Sequence, residues 1–121
     1  MSYDTPNATV RREWFINAVA GANAEIKFRT FQKAILKKVH VVAVTAGTSA
    51  TTGHGCTVYS GTTSLATIAL NTQTAGYSAS TAALDAEIAA LGQISIKNGT
   101  DATGAYHAIL EYEVRHDATQ S

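Results

Sequence analysis

Cysteine occurs once in these 121 residues, at Cys56, so no disulfide can form within the chain. That cysteine opens an apolar strand, where a lone thiol is ordinarily a small buried hydrophobe. Proline also occurs once, at Pro6. No apolar run approaches the ~18 residues of a membrane-crossing helix. The opening Met-Ser-Tyr-Asp-Thr-Pro-Asn has neither the basic start nor the apolar stretch of a secretory signal, which implies synthesis in the cytoplasm. The two sequon matches, Asn7-Ala8-Thr9 and Asn98-Gly99-Thr100, are therefore read as chance, the second as a turn.

Charge is scarce, at 15% of residues, and balances to zero. It is not balanced along the chain. Up to Lys38 there are seven Lys/Arg against three Asp/Glu; from Val39 on there are two against six. A split of this kind suits contact between unlike parts, within one chain or between neighbours. It is too small to argue for a nucleic-acid partner, and none is expected, because Arg11-Arg12 and Lys37-Lys38 are isolated pairs and not a basic stripe with interleaved aromatics.

Ala, Thr, Ser and Gly supply about half of the chain, a composition suited to thin, closely approaching β-layers. The length fits one domain with a real core. Residues 1–9 read as a flexible polar arm, 10–116 as a single β-sandwich domain, and 117–121 as a frayed tail.

Within the domain the strand signal is period-two alternation. Trp14, Ile16 and Ala18 share one face of the first candidate strand, with Phe15 and Val19 on the other. Ile26 and Phe28 alternate with Glu25, Lys27 and Arg29, and Phe31 breaks that pattern, placing a bulge or strand end near Thr30. Ala34 to Ala46 is the longest strand, apolar on both faces, so it is central or at an oligomer contact. Cys56–Tyr59 and Leu65–Leu70 flank Ser60-Gly61-Thr62-Thr63 as a hairpin. A short strand is expected at 76–80 and another at Gln93–Lys97. In the last, Tyr106, Ala108, Leu110, Tyr112 and Val114 face one way, while His107, Glu111, Glu113 and Arg115 face the other. Leu84, Ile88 and Leu91 recur at i, i+4 and i+7, which predicts one short helix over residues 81–91, capped by Ser80 or Thr81 and closed by Gly92. The fold class is all-β: an antiparallel sandwich of about eight strands with one short helix, with jelly-roll as one topology open to it and the strand order not legible in the sequence.

No catalytic or metal-binding constellation is apparent. His54-Gly55-Cys56 offers two ligands, but a stable zinc site needs about four, and His40, His107 and His116 are scattered. Cys56 with His54 as base lacks an oxyanion site. Glu111 and Glu113 share a face, but beside Arg115 they read as screened surface charge. The glycines of the loop Gly47 to Gly55 lack the lysine of a phosphate-binding loop. No enzyme activity and no cofactor are expected.

The strand A-I-L-K-K-V-H-V-V-A-V, the hairpin C-T-V-Y-S-G-T-T-S-L-A-T-I-A-L and the near-terminal A-I-L-E-Y-E-V give the chain a resemblance to small β-rich structural proteins of tailed-bacteriophage virions, above all capsid decoration (cement) proteins. The resemblance implies a non-enzymatic protein, commonly a trimer, that binds the major capsid protein on the outer surface of a phage head and stabilises it. It brings no catalytic residues with it. On that reading the N-terminal arm and basic first third meet the shell, with Tyr3, Arg11, Arg12, Trp14 and Phe15 as interface candidates. A head-fibre or tail accessory protein is the near alternative, and a carbohydrate-binding β-sandwich module the more distant one.

Overall fold

A computed structural model describes residues 9–48, 53–101 and 103–115, with side chains described for 21–48, 53–101 and 103–114. The expected arm (1–9, apart from Thr9) and tail (117–121) lie outside the described residues, as does Tyr3. Among the described residues nine strands form: β1 (Thr9–Ala20), β2 (Glu25–Arg29), β3 (Ala34–Thr45), β4 (Gly55–Ser60), β5 (Thr63–Ala69), β6 (Ser78–Ser80), β7 (Ala86–Ile88), β8 (Gln93–Asn98) and β9 (Ala105–Arg115).

One sheet runs β1-β9-β3-β6, with β7 also on β3; the other runs β2-β8-β4-β5. Four antiparallel pairs are nested one inside the next: β1 with β9, β2 with β8, β3 with β6 and β7, and β4 with β5. A long hairpin rolled over so that its successive strand pairs alternate between two sheets gives this order, which is a jelly roll. The expected all-β sandwich is therefore what forms.

The predicted helix over 81–91 does not form, and no other helix occurs among the described residues. The i, i+4 spacing of Leu84 and Ile88 is also a multiple of two, and Ala86 falls between them in phase, so a strand satisfies the same pattern. The backbone donors go outside the segment, to β3 and to the β2–β3 turn: Thr81 N to Val39 O (2.9 Å), Leu84 N to Lys37 O (2.8 Å) and Leu91 N to Thr30 O (2.7 Å). Asp85 (φ 46°) and Leu91 (φ 60°) take left-handed backbone that an α-helix does not contain. β6 and β7 are thus two halves of one interrupted edge strand on β3. Leu91, expected on the buried side of the helix, is exposed.

The core lies between the sheets. Leu36, Val39, Val41 and Ala43 from β3 and Tyr106, Ala108 and Leu110 from β9 meet Cys56, Val58, Ile68, Ile94 and Ile96 from the opposite sheet. In β3 a register shift between Leu36 and Lys38 changes which parity points inward, so Ala34 and Leu36 are buried before it and Val39, Val41 and Ala43 after it. That bulge explains why the strand reads as apolar on both faces.

Candidate binding surfaces

Three places in the fold gather the residues that could carry function. The first is an end of the sandwich where the sheets are unequal. β1, β3 and β9 have 12, 12 and 11 residues, whereas β2, β4, β5 and β8 have five to seven. Tyr112 and Val114 are register partners of the buried Leu36 and Ala34, so they lie in rows with inward-facing residues. The second sheet has ended by this point, because β2 stops at Arg29. What remains is an open cleft of about 580 Å³, lined by Tyr112, Val114 and the β2–β3 turn Arg29–Gln32. Phe31 on that turn is 89% exposed, the most exposed large apolar side chain among the described residues. Arg29 pins the turn by donating to Leu91 O (2.7 Å) and Gln93 Oε1 (3.3 Å).

Phe31 was not among the interface residues expected from the sequence, although a signal for it exists. It continues the odd-numbered series Glu25, Lys27, Arg29, all of which are exposed, so strand parity alone places it outward.

Of the residues that were expected at an interface, Arg11, Arg12, Trp14 and Phe15 all lie on β1, which borders its sheet and pairs only with β9 among the described strands. Their register partners are Glu113, Tyr112, Leu110 and Ile109. The row through Arg12 therefore includes Tyr112 of the open cleft, and Trp14 stands opposite the fully buried Leu110.

The second place is the outer face of the four-stranded sheet. Register places Lys27 and Tyr59 on either side of Ser95, and Glu25 and Thr57 on either side of Lys97. Ser95 points outward by parity yet is only 2% exposed, because its two neighbours wall it in. The result is a polar cleft of about 320 Å³ with Ser95 at its floor and Glu25, Lys27, Tyr59, Gln93 and Lys97 around it. Glu25 pairs with Lys27 at 3.3 Å.

The third place is buried. His54 is fully enclosed, its Nδ1–H donates to Asn71 O (3.0 Å), and its Nε2 has no partner. Its ring lies 6.2 Å from that of Tyr106. Beside them Cys56 has its thiol pushed up to about 12 by burial, and Tyr106 is shifted up, by burial and then by Cys56. The Tyr106 hydroxyl meets no nitrogen or oxygen partner, only the weak thiol contact with Cys56. A thiol held neutral in this way is a poor nucleophile and a poor metal ligand. No group of three or more possible metal ligands occurs among the described residues.

Asp101 ties the neighbouring loops together. Its carboxylate accepts from Thr48 N (2.6 Å), Thr103 N (2.8 Å) and Thr103 Oγ1 (2.7 Å), and its own amide donates to Gly53 O (2.7 Å). The loop from Gly47 to Gly55, expected to be polar and flexible, is thus anchored at both described ends, with Gly47, His54 and Gly55 buried.

Two lysines of the basic first third meet carboxylates of the acidic remainder inside the chain: Lys33 pairs with Glu87 (3.3 Å), and Lys37 with Asp85 and Glu113 (3.9 Å for the latter). Within the remainder, His40 Nε2 lies 3.3 Å from Glu111 Oε2.

Two unequal-ended sheets, with an open cleft at one end and a polar cleft on the outer face, define a jelly-roll β-sandwich with two candidate binding surfaces. No family model and no curated protein matches the sequence. Among solved structures, a chain of the cyanophage Pam1 capsid asymmetric unit has a TM-score of 0.55 at 14% identity, covering 91% of this chain and 87% of that one. A chain of the Bacillus endospore appendages, described as disulfide-linked pili, has a TM-score of 0.52 at 19% identity, covering 90% and 89%. A third, CsCBM6-3 from Clostridium stercorarium in complex with cellobiose, has a TM-score of 0.48 at 11% identity, covering 95% and 90%. At these identities the likeness of the first two is one of fold alone.

Proposed function

We propose that this chain is a non-enzymatic structural protein of a virion, a decoration or cement protein on the outer surface of a phage head. Its partner is the major capsid protein, and its working form is a homotrimer. The observation that carries the reading is the open end of the sandwich. Inward-facing Tyr112 and Val114 are only partly buried there, and they line the cleft beside an 89% exposed Phe31. Large apolar side chains left uncovered at one spot mark an interaction site, and buried aromatics dominate interface energetics. The start of β1 lies beside this end, since Val10 pairs with Val114, so an arm preceding Thr9 would reach a partner seated there. The sharing of a fold with a capsid chain and with pilus subunits agrees with assembly as the task.

The test is occupancy on undecorated capsids. Phe31→Ala should lower affinity by about 30-fold, the loss of roughly 2 kcal/mol expected of a central aromatic anchor. Its melting temperature should stay within about 2 °C of wild type, because so exposed a ring adds little to folding. Deleting residues 1–9 should weaken binding as well. Undiminished occupancy in both variants would overturn the proposal.

A second reading, a carbohydrate-binding module, is favoured by the polar cleft around Tyr59. An aromatic face beside hydroxyl, amide and carboxylate groups is what a sugar ring requires. The two readings concern two separate clefts, which adjoin where Arg29 of one meets Gln93 of the other, and are compatible.

A further inference from the structure

We propose that the cleft over Ser95 is a binding site for a carboxylated sugar residue, a uronic acid or a similar acidic pyranose. This rests on the reading of that cleft as a saccharide site and specifies its ligand.

The argument begins with which polar groups are already used. Glu25 and Lys97 are register partners on β2 and β8, so they could have neutralised one another. Instead Glu25 pairs with Lys27, at 3.3 Å on its own strand. Lys97 has no described carboxylate within ion-pairing distance. Gln93 is likewise half committed: its Oε1 accepts from Arg29 Nη2 at 3.3 Å, so the amide nitrogen is its remaining donor. Arg29 in turn spends its other terminal nitrogen on Leu91 O and is held outside the cleft.

The groups left over are therefore mostly donors. They are the Lys97 ammonium, the Gln93 amide nitrogen and the Ser95 hydroxyl at the floor. Ser95 is enclosed enough, at 2% exposure, that a ligand hydroxyl bonded to it would be shielded from competing water. Tyr59 stands across Ser95 from Lys27, on the adjoining strand, and is the one aromatic residue among the described ones that line the cleft. Two lysines against one glutamate leave a single positive charge, which matches one carboxylate.

A neutral hexose would use the ring face and the hydroxyl donors but leave Lys97 unanswered. A phosphate would answer Lys97 but has no ring to lie against Tyr59. An acidic pyranose uses both. The space, about 320 Å³, is at the small end of the range for ligand sites and holds one sugar residue rather than an extended chain.

The experiment uses the full-length protein and ¹H–¹⁵N NMR titration with methyl β-glucuronide, with methyl β-glucoside as its neutral isostere, and with inorganic phosphate. The glucuronide should shift the amides of Tyr59, Ser95 and Lys97 saturably and bind about fivefold more tightly than the glucoside, at the modest strength of a part-exposed charge contact. Lys97→Gln should remove that preference while leaving the glucoside unchanged. Tyr59→Ala should weaken both sugars by about tenfold; the dispersion of the same spectra shows whether each variant is folded, and Lys97→Gln, at a surface position, carries the test if Tyr59→Ala is not. Equal binding of the two sugars would refute the acidic preference and leave the saccharide reading standing. Displacement of the glucuronide by phosphate at equal concentration would refute the sugar assignment in favour of a bare cation site. No shift with either sugar would overturn both this inference and the reading it rests on, without touching the capsid proposal.

Discussion

Gly104 is the position where a single added methyl group should do most harm. A Cβ built there would stand 2.5 Å from His54 Nε2 and closer still to two carbons of the same ring. Real Cβ atoms do not approach so near, so the imidazole must move. It has nowhere easy to go: His54 is fully buried, tied through Nδ1 to Asn71 O at 3.0 Å, and flanked by Tyr106. Overpacking of this kind costs about 1–3 kcal/mol. Loss of the buried hydrogen bond adds about 1 kcal/mol. Gly104→Ala should therefore destabilise by roughly 2–4 kcal/mol, and at about 4 °C per kcal/mol for a chain of this length the melting temperature should fall by about 8–16 °C. Gly104 is not among the glycines with positive φ, so none of this is backbone strain. Gly61→Ala is the control. There φ is +61° and nothing lies within 4 Å, so only the left-handed penalty applies, about 1 kcal/mol. Urea denaturation of both variants measures the difference as a shift in midpoint at constant slope. The decisive measurement is the double variant: in a His54→Ala background Gly104→Ala should lose most of its cost, a coupling of about 1–3 kcal/mol. A cost below about 0.5 kcal/mol in the wild type, or an equal cost in both backgrounds, would refute the reasoning.

Two further outcomes follow from the buried groups. Cys56 is raised from 9.0 to about 12 in the folded protein and Tyr106 is raised as well, so above pH 9 the unfolded chain releases protons that the folded one retains. Stability should be constant below about pH 9 on this account and fall as pH rises towards 12; urea midpoints at pH 8, 9.5 and 11 give the slope, and the Cys56 thiol should react with a disulfide reagent only after unfolding. Asp101→Ala removes three short hydrogen bonds from two loops, to Thr48 and Thr103, and should cost about 2–3 kcal/mol, with Asp101→Asn costing less; amide exchange at Thr48 and Thr103 should quicken in step.

The sequence by itself determined the faces. In β9 Tyr106, Ala108 and Leu110 alternate with His107, Ile109 and Glu111, of which Ile109 alone is apolar, and the first three are buried. Each of the eight strand segments read from alternation and turn residues corresponds to a strand that forms. Period-two patterning is a local property, because a strand with one buried face needs no knowledge of its partner to show it.

What only the tertiary structure decided is what lies opposite what. The segment 81–91 satisfied a helical period, and it became an edge strand because β3 offered Val39 O and Lys37 O as acceptors, which no local signal reveals. The open cleft exists because three strands of one sheet outrun the other sheet, a difference between elements and not a property of any one. The cleft over Ser95 depends on register, which sets Lys27 and Tyr59, 32 residues apart in sequence, on either side of one serine. Such pairings are fixed by the packing of the whole core, since a slip of one residue would turn every side chain of a strand to the other face.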